Sequence, residues 1–184
     1  MRKLAMIGIA FLLFISIAYA GVLKYYGKIV GIANVQGPIF YADLTKDGET
    51  AGKLLLNAKP SATYTTTFKD ENNVAFWSDD LGGINFNYKP KCIFSAKVSA
   101  TSNSKLNLIC KYYDGTQTIT ICSNTTDVGT SPSVVTAICF PPDSLTSLPN
   151  VHKFGYLVQG TTPTDEYTIE TNTNGDTYMQ VTKA

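Results

Sequence analysis

The sequence predicts an all-β protein: a two-sheet antiparallel β-sandwich, jelly-roll-like, behind an N-terminal signal peptide. Three observations lead there. Stretches with apolar residues at alternate positions recur from residue 21 to the C-terminus. Asp-Gly, Asn-Gly and proline breaks separate them at short intervals, the cadence of a sandwich or barrel. No sustained 3.6-residue pattern follows residue 23.

Taken in order, residues 1–20 fit a secretory signal. Arg2 and Lys3 form a basic start, Leu4 to Ile17 an apolar run, and Ala18-Tyr19-Ala20 a small-x-small cleavage site. Cleavage after Ala20 leaves residues 21–184 as a single extracellular domain. An uncleaved anchor is the competing reading, because Leu4 to Leu23 has the length of about twenty residues that a spanning helix needs. Both readings place the remainder outside the cell. Next, "YYGKIVGIANVQGPIFYADL" alternates, with Gly37-Pro38 as a break. "KDG" at 46–48 is a turn, "AGKLLLNAKP" a short strand ending before Pro60, and "ATYTTTF" an alternating run of β-formers.

Polar loops at 69–74 and 78–83 surround a short "AFW" piece, followed by "INFNY". "CIFSAKVSA" puts Cys92, Phe94, Ala96, Val98 and Ala100 on one face. The clearest hairpin is "KLNLICKYY", the turn Asp114-Gly115, and "TQTITIC". "SNTTDVGTSPS" reads as a polar loop, "VVTAICF" as a strand stopped by Pro141-Pro142, and "FPPDSLTSLPNV" as irregular. "KFGYLVQG", "EYTIETN" and "TYMQVTK" close the chain, the last two joined by an Asn-Gly-Asp turn.

Without Arg2 and Lys3 the formal charge moves from +1 to −1. No run of basic residues appears, which argues against nucleic acid as a partner. Cys92, Cys110, Cys122 and Cys139 are spaced 18, 12 and 17 apart, unlike zinc-ligand pairs, and in an oxidising compartment they suggest disulfides. Three full pairings are open. A two-residue turn at 114–115 sets Cys110 opposite Ile119, so a 110–122 bond is disfavoured unless a bulge intervenes.

Little of the sequence points to catalysis. His152 is the one histidine, no G-x-S-x-G elbow is present, and the acids fall mainly in turns, so the chain is not expected to be an enzyme. No cofactor is expected. Asp43, Asp47 and Glu49 in one loop, with Asp79 and Asp80, raise calcium as an option beside the plainer reading of turn residues. Trp77, next to polar loops, is a candidate for stacking on a glycan, beside the plainer reading of a core residue. Adjacent Tyr112 and Tyr113 must point to opposite sheet faces. Asn124-Thr125-Thr126 is a glycosylation sequon.

After the signal, Leu23, Tyr25, Gly27, Ile29 and Gly31 share one apolar or glycine face. This segment either starts the molecule's own sandwich or leaves it, residues 21–30 adding to the sheet of the next subunit as a donor strand. Head-to-tail repetition of that contact builds a filament, a homopolymer of the chain with itself. "AYAGVLKYYGKIVGIANV" and the strand cadence across 21–184 resemble the secreted surface-filament subunits of archaea, the threads and bundling pili. The resemblance implies donor-strand-linked β-sandwiches. The leading expectation is therefore a secreted structural subunit of a cell-surface filament. A secreted glycan-binding or adhesive module, taking cell-surface glycans, is the alternative.

Overall fold

The computed structural model describes residues 37–69 and 72–184, and 38–184 form one compact unit. Thirteen strands run through the described residues: β1 (Ile39–Asp43), β2 (Ala51–Leu56), β3 (Tyr64–Lys69), β4 (Asn73–Ser78), β5 (Ile84–Phe86), β6 (Pro90–Ala100), β7 (Ser104–Tyr113), β8 (Thr118–Val128), β9 (Ser133–Cys139), β10 (Leu148–Val151), β11 (Lys153–Gly160), β12 (Glu166–Thr171) and β13 (Tyr178–Lys183). The expected fold class holds: the described residues are all-β and build a β-sandwich. The donor-strand residues Leu23, Tyr25, Gly27, Ile29 and Gly31 lie outside the described residues, as do the signal segment and its cleavage site.

One large sheet runs in the order β3-β12-β6-β13-β1-β2-β4-β11-β7-β8, and β9 joins it along β6; β5 and β10 form a small second sheet. Pairing is antiparallel except between β2 and β4, which run parallel, so the large sheet is mixed. The sheet folds back on itself. Phe94 of β6 stacks on Tyr156 of β11 with centroids 5.3 Å apart, and Phe40 of β1 meets Phe154 of β11 at 5.3 Å. The alternation read from "CIFSAKVSA" is realised: Cys92, Phe94, Ala96, Val98 and Ala100 all face the core. Burial pushes the Tyr156 phenol pKa upward, and its hydroxyl donates to Ser95 O at 3.3 Å.

The edge strand β8 meets β9 beside β6, and two disulfides cross this region. Cys92–Cys110 ties β6 to β7, and Cys122–Cys139 ties β8 to β9. Asn124 Nδ2 also donates to Ile138 O at 2.6 Å across this seam.

Four local expectations are corrected. The β7–β8 loop holds four residues, 114–117, because Asp114 Oδ1 accepts from the N–H groups of both Thr116 and Gln117 at 2.8 Å. A bulge beside Cys110 then seats Cys110 opposite Cys122 rather than Ile119. Even so, both cysteines bond across the core to other partners. The "AFW" piece extends to a six-residue strand, and part of the expected loop at 123–133 continues β8, which places the sequon on a strand. The "irregular" stretch before His152 contains β10, paired with β5. The expected Asn-Gly-Asp turn does join β12 to β13, with Gly175 at φ 74°, though the two strands pair with β6 and not with each other.

Candidate functional site

The outer face of the β2-β4-β11-β7-β8 region carries the most distinctive surface. On β4, Val74, Phe76 and Ser78 are buried, so Asn73, Ala75 and Trp77 point away from the core. Trp77 is therefore not a core residue. Its cross-strand partners are Lys53 on β2 and Gly155 on β11, and Gly155 in turn faces Lys111 on β7. The indole lies over Gly155: a Cβ built there would sit 2.8 Å from Cη2 and Cζ3 of the ring. Only glycine leaves the sheet surface low enough for a six-membered ring to lie across the neighbouring strand. The six-membered ring is in close contact with the Gly155 backbone, and Trp77 is half-buried.

The surroundings mix polar rows with one mostly apolar row, in which Leu157 is buried. One row across the strands reads Lys53, Trp77, Gly155, Lys111, Thr120. Two residues along, the row is Ala51, Ala75, Leu157, Ile109, Ser123, and the next is Asn73, Gln159, Asn107, Thr125. Tyr113 lies on this outer face while Tyr112 is buried, as alternation requires. An aromatic plate with amides, hydroxyls and ammonium groups on one sheet face can receive a flat ligand whose apolar side stacks and whose edge hydrogen-bonds.

Other candidate groups have local structural partners. His152 Nδ1 lies 3.0 Å from Asp80 Oδ1, a pair that sequence reading missed because 72 positions separate the two. The Gly82 N–H, and after it His152, hold the Asp80 carboxyl below its ordinary value. Gly83 and Gly115 crowd the far edge of the imidazole, and among the described residues no hydroxyl or thiol is hydrogen-bonded to it. Within the suspected calcium loop, Glu49 Oε2 accepts from Thr45 N at 3.0 Å and Thr45 Oγ1 at 2.7 Å, while Asp47 Oδ1 accepts from Thr65 N at 2.7 Å. Asp43 stands across from Lys53, and Asp79 is exposed. These carboxylates shape turns and pair with neighbours rather than converging on one point. The Asn124 amide is engaged with Ile138 O across the β8–β9 seam.

Comparison with known proteins bears on the fold. No protein-family model matches the chain, and no curated protein matches it. Among solved structures, a CocE/NonD family hydrolase from Staphylococcus aureus aligns at 8% identity and TM-score 0.55, over 80% of this chain and 36% of that one. An α-amino acid ester hydrolase aligns at 8% identity and TM-score 0.56, over 79% of this chain and 36% of the other. The N-terminal cellulose-binding domain of a Cellulomonas fimi β-1,4-glucanase aligns at 10% identity and TM-score 0.40, over 67% and 80% of the two chains. The chain thus spans about a third of the length of the two hydrolases. At 8% identity the likeness to the two hydrolases is one of fold alone.

Proposed function

We propose that the chain is a secreted glycan-binding β-sandwich module whose binding surface is the outer face around Trp77. The carrying observation is the indole seated over Gly155 on an outward sheet face that also carries lysine, amide and hydroxyl side chains. The C–H face of a pyranose is apolar and its rim is hydroxylated, which matches an aromatic plate ringed by hydrogen-bonding side chains. Secretion is supported by the signal-like start and by two disulfides, which persist in oxidising compartments. Among the described residues no helix is long and apolar enough to cross a membrane. The test is native electrophoresis through gels cast with soluble polysaccharides. Retardation that disappears in Trp77→Ala, with an unchanged melting temperature, supports the reading; equal mobility of the two proteins in every gel refutes it.

A second reading, the filament subunit joined by residues 21–30 to itself head to tail, is favoured by one surface. Val134 and Ile138 of β9 are each about half exposed and Phe140 is 62% exposed, an apolar stripe suited to a protein contact. Electron microscopy of the secreted chain with and without residues 21–30 separates this reading from the first. Filaments that vanish on deletion support it, and dispersed monomers at every concentration refute it.

A further inference from the structure

We infer that the Trp77 face selects anionic polysaccharides, chains of uronate-type sugars, over neutral ones, with Lys111 as the residue that reads the charge. This rests on the glycan-binding reading above and goes a step further, to the chemical class of the ligand. The observation behind it is the distribution of charge over the strands. β2, β4, β7 and β11 contain no aspartate or glutamate, yet carry four lysines: Lys53, Lys105, Lys111 and Lys153. All four alternate with buried neighbours and so point outward, on the same face as Trp77. None belongs to the ion pairs found among the described residues, which are Lys46–Glu49, Lys89–Asp143, Lys97–Glu170 and His152–Asp80.

The four are not equivalent. Lys53 lies opposite Asp43, whose pKa is raised by burial, a push that the nearby ammonium only partly offsets. Lys105 lies opposite Asp127. Lys153 is close enough to Asp80 to favour its ionised form. Lys111 has only Gly155 and Thr120 as its cross-strand partners. It stands two strands from Trp77, about 10 Å away at the usual strand spacing, with the low Gly155 between them. Because the indole itself covers Gly155, the cross-strand neighbour of Lys111, a pyranose stacked on the ring would have its next ring, or its own carboxylate, directed toward that ammonium. Charge-assisted hydrogen bonds of this kind are the stronger class, and an ammonium with no carboxylate partner among the described residues has none there to give up on binding.

The outer face around β6 and β12 supplies the contrast. There Lys97 donates to Glu170 at 2.9 Å, and the charge is neutralised within the protein.

The experiment compares polygalacturonate with its methyl ester, which keeps the backbone and removes the charge, using the wild-type chain, Trp77→Ala and Lys111→Gln. Poly-glutamate serves as a charged polymer without sugar. The expected result is binding of polygalacturonate at least about tenfold tighter than of the ester, an advantage that shrinks as salt rises from about 0.05 M to about 0.5 M. Lys111→Gln should abolish most of this advantage, weakening polygalacturonate binding far more than ester binding, whereas Trp77→Ala should weaken both to a similar degree. Equal affinity for the two polymers, or a charge preference untouched by Lys111→Gln, overturns the inference while leaving glycan binding intact. Equal binding of poly-glutamate, undiminished in Trp77→Ala, also overturns it by showing attraction to charge alone. Retention on no polysaccharide removes both this inference and the reading it rests on.

Discussion

The β8–β9 seam is the place where the fold depends on covalent bonds, and its contribution can be estimated. β8 and β9 share no hydrogen-bonded ladder; Cys122–Cys139 and the Asn124–Ile138 contact hold them together. The bond closes a loop with a sequence separation of 17, and Cys92–Cys110 one of 18. Chain entropy assigns each about 3 kcal/mol by restricting the unfolded ensemble. Cys122→Ala with Cys139→Ala should therefore lower the unfolding free energy by about 3 kcal/mol, equivalent to a drop of roughly 6–12 °C in melting temperature for a domain of this size. Removing both bonds should cost about 6 kcal/mol, within the range of about 5–15 kcal/mol that a whole domain possesses. Urea denaturation of the oxidised proteins, with peptide mapping to verify the pairing, is the assay. Mapping matters because the sulfurs of Cys92, Cys122 and Cys139 lie within 4.8 Å of one another. A loss below about 1 kcal/mol for the Cys122/Cys139 variant, or a map showing 92–139 and 110–122 bonds, would refute this account of the seam.

Three further outcomes are expected. Gly155→Ala places a methyl group under the indole, 2.8 Å from ring carbons, so Trp77 must swing outward. Stability should change by less than about 1 kcal/mol, while Trp77 emission shifts to the red and polysaccharide retention is lost. Thr66 is buried on β3 with a hydroxyl that has no partner among the described residues, and the nearly isosteric Thr66→Val should raise the unfolding free energy by about 1 kcal/mol in urea titrations. Burial raises the Glu170 pKa, but donation from Asn172 at 2.8 Å and Lys97 at 2.9 Å outweighs it and holds the carboxyl below its ordinary value. A depressed carboxyl stabilises the fold fully above the unfolded pKa of about 4.3 and loses that contribution as pH falls through the folded value. Stability measured against pH should therefore decline on the acid side of about 4, and the decline should be shallower in Glu170→Gln.

Much of the strand layout was legible because burial on one face imposes a period of two. The inward set of β6 and the opposite directions of Tyr112 and Tyr113 follow from that period alone. Register was less legible. Whether Asp114 begins a two- or four-residue loop depends on how its side chain bonds the next N–H groups, and the bulge that follows shifts Cys110 from Ile119 to Cys122. Strand order was not legible at all. β12 and β13 are joined by an Asn-Gly-Asp turn that resembles a hairpin, yet both lie along β6. The site was hidden for the same reason. Trp77 drew notice as the only tryptophan, but the glycine that seats it is 78 positions away, and Lys53, Lys111 and Lys153 come from three separate parts of the chain. A sequence without a basic run can still assemble a basic sheet face, because cross-strand neighbours are chosen by topology.

Trp77 is the chain's only tryptophan, so its fluorescence reports the proposed site without labelling. The most direct test is a titration of the folded protein with soluble polysaccharide, following emission and acrylamide quenching together. Binding at this face predicts a saturable change in emission with Trp77 becoming shielded from acrylamide as the sugar covers it. Polysaccharide binding that leaves the emission and its quenching unchanged would place the contact elsewhere and contradict the role given to Trp77.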